Sequence, residues 1–219
     1  MDWSVVSESI PVYGEAALLT LRIGVIGIIA SALLGLVCAV VQSFRIPVAR
    51  QVVAAYIELS RNTPLLVQLF FLYFGLPKLG VVLSSEACAI IGLTFLGGSY
   101  MAEAFRSGLE SIPPIQLQSA LSLGMSTPQA VGHVLIPQAF AVAAPALTAN
   151  VIFLIKETSV VSVVALPDLV YVAKEQIGSD YDTSEALFLL VAFYLLILLP
   201  ISLGAAWLEK RVRRNAFGA

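Results

Sequence analysis

IGVIGIIASALLGLVCAVVQSF, residues 23–44, holds no charged side chain from end to end. Crossing about 30 Å of hydrocarbon takes roughly 20 helical residues at 1.5 Å each. This run, closed by Arg45, is therefore long enough to span a bilayer, and we place the first span at about 17–44. Four further apolar stretches follow at about 52–77, 87–106, 134–156 and 186–208. Asn62-Thr63-Pro64 is expected to kink the second, because proline removes a backbone hydrogen bond. The sequence thus predicts an all-α integral membrane protein of five transmembrane helices in a single domain, 1–219.

Composition agrees with the runs. Hydrophobic residues make up 59% of the chain and charged residues 12%, with a mean hydropathy of +0.94. Soluble domains carry roughly 45–50% apolar and about 25% charged residues, so here the bilayer must act as part of the solvent. With a net charge of −2, nothing calls for nucleic acid as a partner, and none is expected. Cys38 and Cys88 sit in apolar runs without CxxC spacing and read as buried free thiols. His133 is the only histidine, so neither a metal site nor a catalytic acid–base pair is expected. Met1-Asp2-Trp3 has no basic n-region, so the first apolar run is expected to remain as a span rather than be cleaved.

Loop charges set the orientation. Arg45 and Arg50 follow span one, Arg106 follows span three, and the basic tail around Lys210, Arg211, Arg213 and Arg214 follows span five. With five spans these fall on one side. The other side holds Lys78 and Lys174 among many acidic residues, including Glu8, Glu86, Asp180 and Asp182. The expected arrangement has the N-terminus outside and the C-terminus in the cytoplasm.

Two loops remain. In 156–184 a second apolar run, 158–167, is too short to span and reads as a re-entrant or interfacial segment. The cytoplasmic segment 107–133 carries few charges. Pro113-Pro114 can open a short helix with Leu117, Leu121 and Gly124 on one face. Gly124 can close that helix in the left-handed conformation, and Ser126-Thr127-Pro128 reads as the N-cap of the next. Such a protrusion either docks a protein partner or packs against its own helix ends.

The loop also carries a motif. Gln118-Ser119-Ala120, Gly124, Val134, Ile136 and Pro137 have the spacing of the EAA loop of ABC importer permeases: Glu-Ala-Ala, three residues, Gly, nine residues, Ile, one residue, Leu-Pro. Gln118, Ser119, Val134 and Ile136 depart from the pattern in type while keeping size or shape, and Gln118 lacks the charge. The stretches RNTPLLVQLFFLYFGLP (61–77), YMAEAFRSG (100–108), KETSVVSV (156–163) and PDL (167–169) resemble the polar amino-acid members of that family, and the likeness runs over nearly the whole chain.

The resemblance implies a type I ABC importer permease in a bacterial-type inner membrane. Its coupling helix, with Gln118, Ser119, Ala120, Gly124, Ile136 and Pro137, would dock on a separate ATPase subunit. That subunit would bind ATP and Mg²⁺, because this chain has no GxxxxGK[ST] sequence and needs no cofactor of its own. A second permease subunit and an extracytoplasmic substrate-binding protein complete the assembly, and the cargo would be a polar amino acid.

Charged and polar residues at membrane depth mark a path or a local pair. Glu157 is placed to meet a substrate ammonium group, or else to pair with Lys156 as an interfacial anchor. Thr158 and Ser159 offer hydroxyls beside it, to substrate or to freed backbone groups. Glu58 and Arg61 form a cytoplasmic gate or, preferably, a helix-end pair three residues apart; Glu103 and Arg106 read the same way. Gly97-Gly98 suit a dimer seam or close packing within the chain. The competing functional class is a non-transporting membrane anchor or assembly protein whose cytoplasmic loop docks a partner. A membrane enzyme finds no nucleophile–base pair, and a passive channel has no use for a docking loop.

Overall fold

A computed structural model describes residues 1–43 and 47–217, without the side chains of 213 and 215–217. Phe44, Arg45 and the Arg213 side chain, used above for a span end and the charge bias, lie outside the described residues. Four helical stretches are long and apolar enough to cross a membrane: Trp3–Ser43, Ser85–Glu110, Thr127–Val164 and Thr183–Val212. The second expected span, 52–77, is not one helix. It divides into α2 (Ala49–Arg61) and α3 (Leu65–Phe70), followed by a π turn, Phe71–Gly75, and a 3-10 turn, Leu76–Leu79.

The division falls at Thr63-Pro64, where a proline nitrogen cannot continue the ladder. Backbone groups freed at this depth must find partners inside the protein. Asn62 Nδ2 donates to the Glu58 carbonyl at 2.8 Å and Thr63 Oγ1 to the Leu59 carbonyl at 2.8 Å. Gln68 Nε2 reaches back across the break to the carbonyls of Ser60 and Thr63, at 3.2 and 3.0 Å. A single glutamine thus pins the two halves together.

The first helix, α1 (Trp3–Ser43), starts well before residue 17 and its 41 residues extend about 60 Å. Its early turns are held by packing rather than by lipid. Val6, Tyr13 and Ala16 are buried against Leu169, Ala173 and Leu189, and the Tyr13 hydroxyl donates to Gln176 Oε1 at 2.9 Å. α4 (Ser85–Glu110) is the central helix, packed against α1, α2, α3 and α7 (Ile136–Glu157). Small residues allow that crowding. A Cβ at Gly35 would stand 2.5 Å from Met101 Cβ and 2.8 Å from the Ala102 nitrogen. One at Gly98 would meet the Tyr56 hydroxyl at 2.6 Å, so Gly97-Gly98 serve packing within the chain.

The short apolar run after α7 is a 3-10 helix, Thr158–Val164, with Val161 and Val164 buried in the main core. Asp168 then caps α8 (Leu169–Ser179) by accepting from the Tyr171 N–H at 2.9 Å. α9 (Thr183–Phe217) closes the fold and leaves most of its apolar surface exposed, as a lipid-facing helix does.

Candidate functional site

The break in the second apolar segment opens a cavity of about 360 Å³. Arg61, Asn62, Thr63 and Pro64 form one wall, Tyr100 and Leu96 of α4 a second, and Phe153, Glu157 and Val160 a third. The Tyr100 and Phe153 rings pack at 5.2 Å between centroids. Among the described residues Glu157 has no ion-pair or side-chain hydrogen-bond partner, Lys156 included. An unpaired carboxylate between aromatic and aliphatic walls suits a compact cation.

The two hydroxyls beside Glu157 are placed differently. Thr158 is fully buried and donates to the Ile155 carbonyl at 2.7 Å, which caps the end of α7. Ser159 does not line the cavity, and its carbonyl takes the Ser162 hydroxyl at 3.5 Å. Thr158 thus serves the backbone where the helix tightens from α to 3-10 geometry.

The expected Glu58–Arg61 pair does not form. Asn62 Nδ2 occupies Glu58 Oε2 at 3.1 Å, and Arg61, the last residue of α2, turns the other way. Its guanidinium lies 5.2 Å from the centroid of Tyr100 and 3.7 Å from Glu103 Oε2. Glu103 is gripped more tightly by Arg106, at 2.8 and 3.2 Å, and Arg106 also holds Glu110 at 2.7 Å. Tyr100 and Phe153 had no polar spacing to single them out as walls of a site. Gln68 did carry a signal, as a lone amide in an apolar run.

The loop 107–133 is built as a helix, a turn and a helix. α5 (Pro114–Ser122) ends on Gly124 at φ +84°, a conformation that only glycine adopts freely. The Gly124 N–H donates to the Leu121 carbonyl at 3.0 Å and the Met125 N–H to the Ala120 carbonyl at 3.2 Å, the paired bonds of a Schellman cap. Ser126 and Gln129 form a capping box that starts α6 (Thr127–Ala130), and a π turn, Val131–Leu135, leads into α7. Ala120 and Ala130 are buried, so the small side chain at 120 lets the loop close on itself. Gln118, Ser119, Ile136 and Pro137 are exposed. Ile115, Leu121 and Leu123 are exposed as well, Leu123 by 84%, and together they give the loop an apolar outer surface. His133 Nδ1 lies 3.1 Å from the Gln129 carbonyl. Among the described residues no three His, Cys, Asp or Glu side chains gather as a metal site.

The structure is thus a polytopic helical fold with a cavity at a broken helix, lined by Arg61 and Glu157 among apolar side chains, and a protruding loop with an apolar outer surface. The chain belongs to the family of binding-protein-dependent transport system inner membrane components, whose model it matches over residues 31–214. It is similar to the probable glutamine ABC transporter permease GlnM of Bacillus subtilis, at 32% identity over 98% of this chain and 100% of that protein. The arginine transport system permease ArtQ of Bacillus subtilis is 30% identical over 98% of this chain and 99% of its own length. A crystal structure of an amino acid ABC transporter with histidines superposes with a TM-score of 0.88, at 30% identity, covering 96% of this chain and 99% of the other. The protein is therefore an ABC importer permease of the inner membrane. It is a transport subunit and not an enzyme, because ATP hydrolysis in such systems belongs to a separate subunit.

Proposed function

We propose that this permease passes a polar α-amino acid into the cytoplasm by alternating access. A separate ATPase, which binds ATP and Mg²⁺, docks on 118–124 and the adjoining Ile136-Pro137, and an external substrate-binding protein supplies the cargo. The observation that carries this reading is the cavity at the broken helix, where Glu157 has no partner among the described residues. An ammonium group there replaces the lost hydration of both charges. The names of its relatives, which include glutamine and arginine permeases, support the class of cargo.

The whole chain acts as one permease domain, with its N-terminus outside and its C-terminus in the cytoplasm, an orientation that the loop charges support. Five apolar segments cannot enclose a path for an amino acid, so a second permease, a copy of this chain or a close relative, faces it. An anchor or assembly protein would have the docking loop but no use for an unpaired carboxylate in a cavity.

The test is ATP hydrolysis and uptake by the chain reconstituted in lipid with its ATPase and binding protein. The panel is L-glutamine, L-glutamate, L-arginine, L-histidine and L-cystine. One of them should stimulate hydrolysis. Glu157→Gln should then lower its uptake about 10- to 100-fold, the loss of one charged hydrogen bond of about 1.5–3 kcal/mol. A panel in which nothing stimulates turnover rejects the importer reading, and full uptake by Glu157→Gln rejects the role of that carboxylate.

A further inference from the structure

The cavity holds one more charged group than the ammonium site needs, and it is the cation. Arg61 has five N–H donors in a planar fork and keeps its charge at any physiological pH. Yet none of those donors makes a hydrogen bond to a carboxylate: Glu103 Oε2 lies at 3.7 Å, beyond hydrogen-bond distance. The other contact is the face of Tyr100.

Glu103 does not depend on Arg61. Arg106 already holds both of its oxygens, and Glu110 completes the Arg106 fork. If Arg61 swings away, no carboxylate is left bare. Glu58, the other nearby anion, is taken by Asn62. The break at Asn62–Pro64 leaves Arg61 at the free end of α2, where its side chain lines the cavity that Glu157 lines from α7.

A site with one unpaired carboxylate and one loosely held guanidinium, separated by aromatic walls, is matched to a zwitterion. An α-amino acid carries an ammonium and a carboxylate on the same carbon, and 360 Å³ is ample for it. We infer that Arg61 is the carboxylate-binding residue of the transport site, parked against Glu103 and Tyr100 when the cavity is empty and turned to the substrate carboxylate when it is filled. The assignment rests on the importer reading and names the half of the substrate that Glu157 leaves unread. A two-pronged guanidinium contact also favours amino acids over simple amines, which gain nothing from Arg61.

The test measures binding to the permease–ATPase complex in lipid nanodiscs without the binding protein, whose own selectivity would mask the effect. The probes are radiolabelled L-glutamine, L-arginine and L-histidine, competed by their α-carboxamides, which keep the ammonium group and lose the carboxylate. The wild-type complex should prefer the free acid over its amide by 10- to 100-fold. Arg61→Ala should bind acid and amide alike, and Arg61→Lys should recover part of the preference. Glu157→Gln should weaken both ligands and keep the preference.

Copurification of the ATPase and an unchanged melting temperature show that the variants are folded. Should Arg61→Ala fail there, Arg61→Gln keeps the length and removes only the charge. An undiminished preference in the neutral variants overturns the assignment of Arg61 alone. A wild-type complex that binds none of the three, and is stimulated by none of the uptake panel, overturns the importer reading and this assignment with it.

Discussion

Replacing Gly124 by aspartate separates the stability of the loop 107–133 from its proposed docking. The backbone there sits at φ +84°, where a side chain costs about 1–2 kcal/mol, somewhat less for Asp. A Cβ at this position would meet nothing within 4 Å, so no packing cost is added within the chain, and both Schellman hydrogen bonds can persist. The isolated permease should lose about 1 kcal/mol, or about 2–4 °C in melting temperature for a chain of this size. Docked in an ATPase cleft the same carboxylate would be buried without a partner, at about 2–5 kcal/mol. That corresponds to roughly 30- to 4,000-fold weaker coupling. Gly124→Ala carries the strain without the charge and is the control. The assays are thermal melting of the permease alone, copurification of the ATPase, and substrate-stimulated hydrolysis. The two variants should melt within a few degrees of each other while only Gly124→Asp uncouples. Wild-type transport by Gly124→Asp, or equal uncoupling by Gly124→Ala, would refute docking through this turn.

Two further expectations concern the scaffold. Gly35→Ala should destabilise the chain by about 1–3 kcal/mol, because the added carbon lands 2.8–2.9 Å from the backbone of Met101 and Ala102, which cannot give way as a side chain does. Gly14→Ala, with open space around its Cβ, should be neutral or stabilising by up to about 1 kcal/mol; equal melting temperatures for the two variants would contradict the close-packing account. Asp168 is fully buried at the N-cap of α8, and burial pushes its carboxyl up to about 6, against the pull of the Tyr171 N–H. The folded chain then keeps a proton that the unfolded chain releases near pH 4, so stability should fall as pH rises from about 4 to 6 and level off above. Asp168→Asn should remove that slope and keep the cap, whereas Asp168→Ala should lose about 1 kcal/mol of capping. Parallel melting profiles of the wild type and Asp168→Asn across pH 4–8 would show that the carboxyl does not titrate in this window.

Much of the loop was legible because its signals are local. A glycine after an apolar face and a Ser-Thr-Pro start to the next helix each act within a few residues, and the structure has the Schellman cap and the capping box at those positions. The proline break was legible for the same reason, although a kink understated a full division into two short helices. The early start of α1 was not. Residues 3–16 are too polar to read as membrane span, and they are helical because Tyr13 and Val6 find Gln176, Leu169 and Leu189 more than 150 positions later. Ala120 is buried in its own loop, a matter of which way the helix is rotated, which spacing alone does not give.

The sequence alone determined the solvent of this protein, the number of apolar segments and the points where the backbone must turn. Those properties follow from hydrophobicity summed over a window and from the stereochemistry of glycine and proline. Only the tertiary structure decided that Arg61 leaves Glu58 for Glu103 and Tyr100, and that it shares a cavity with Glu157. Spacing of three residues puts two side chains on one helix face only while the helix continues. At Arg61 it ends, and the neighbours of a terminal side chain are set by which helices pack beside it.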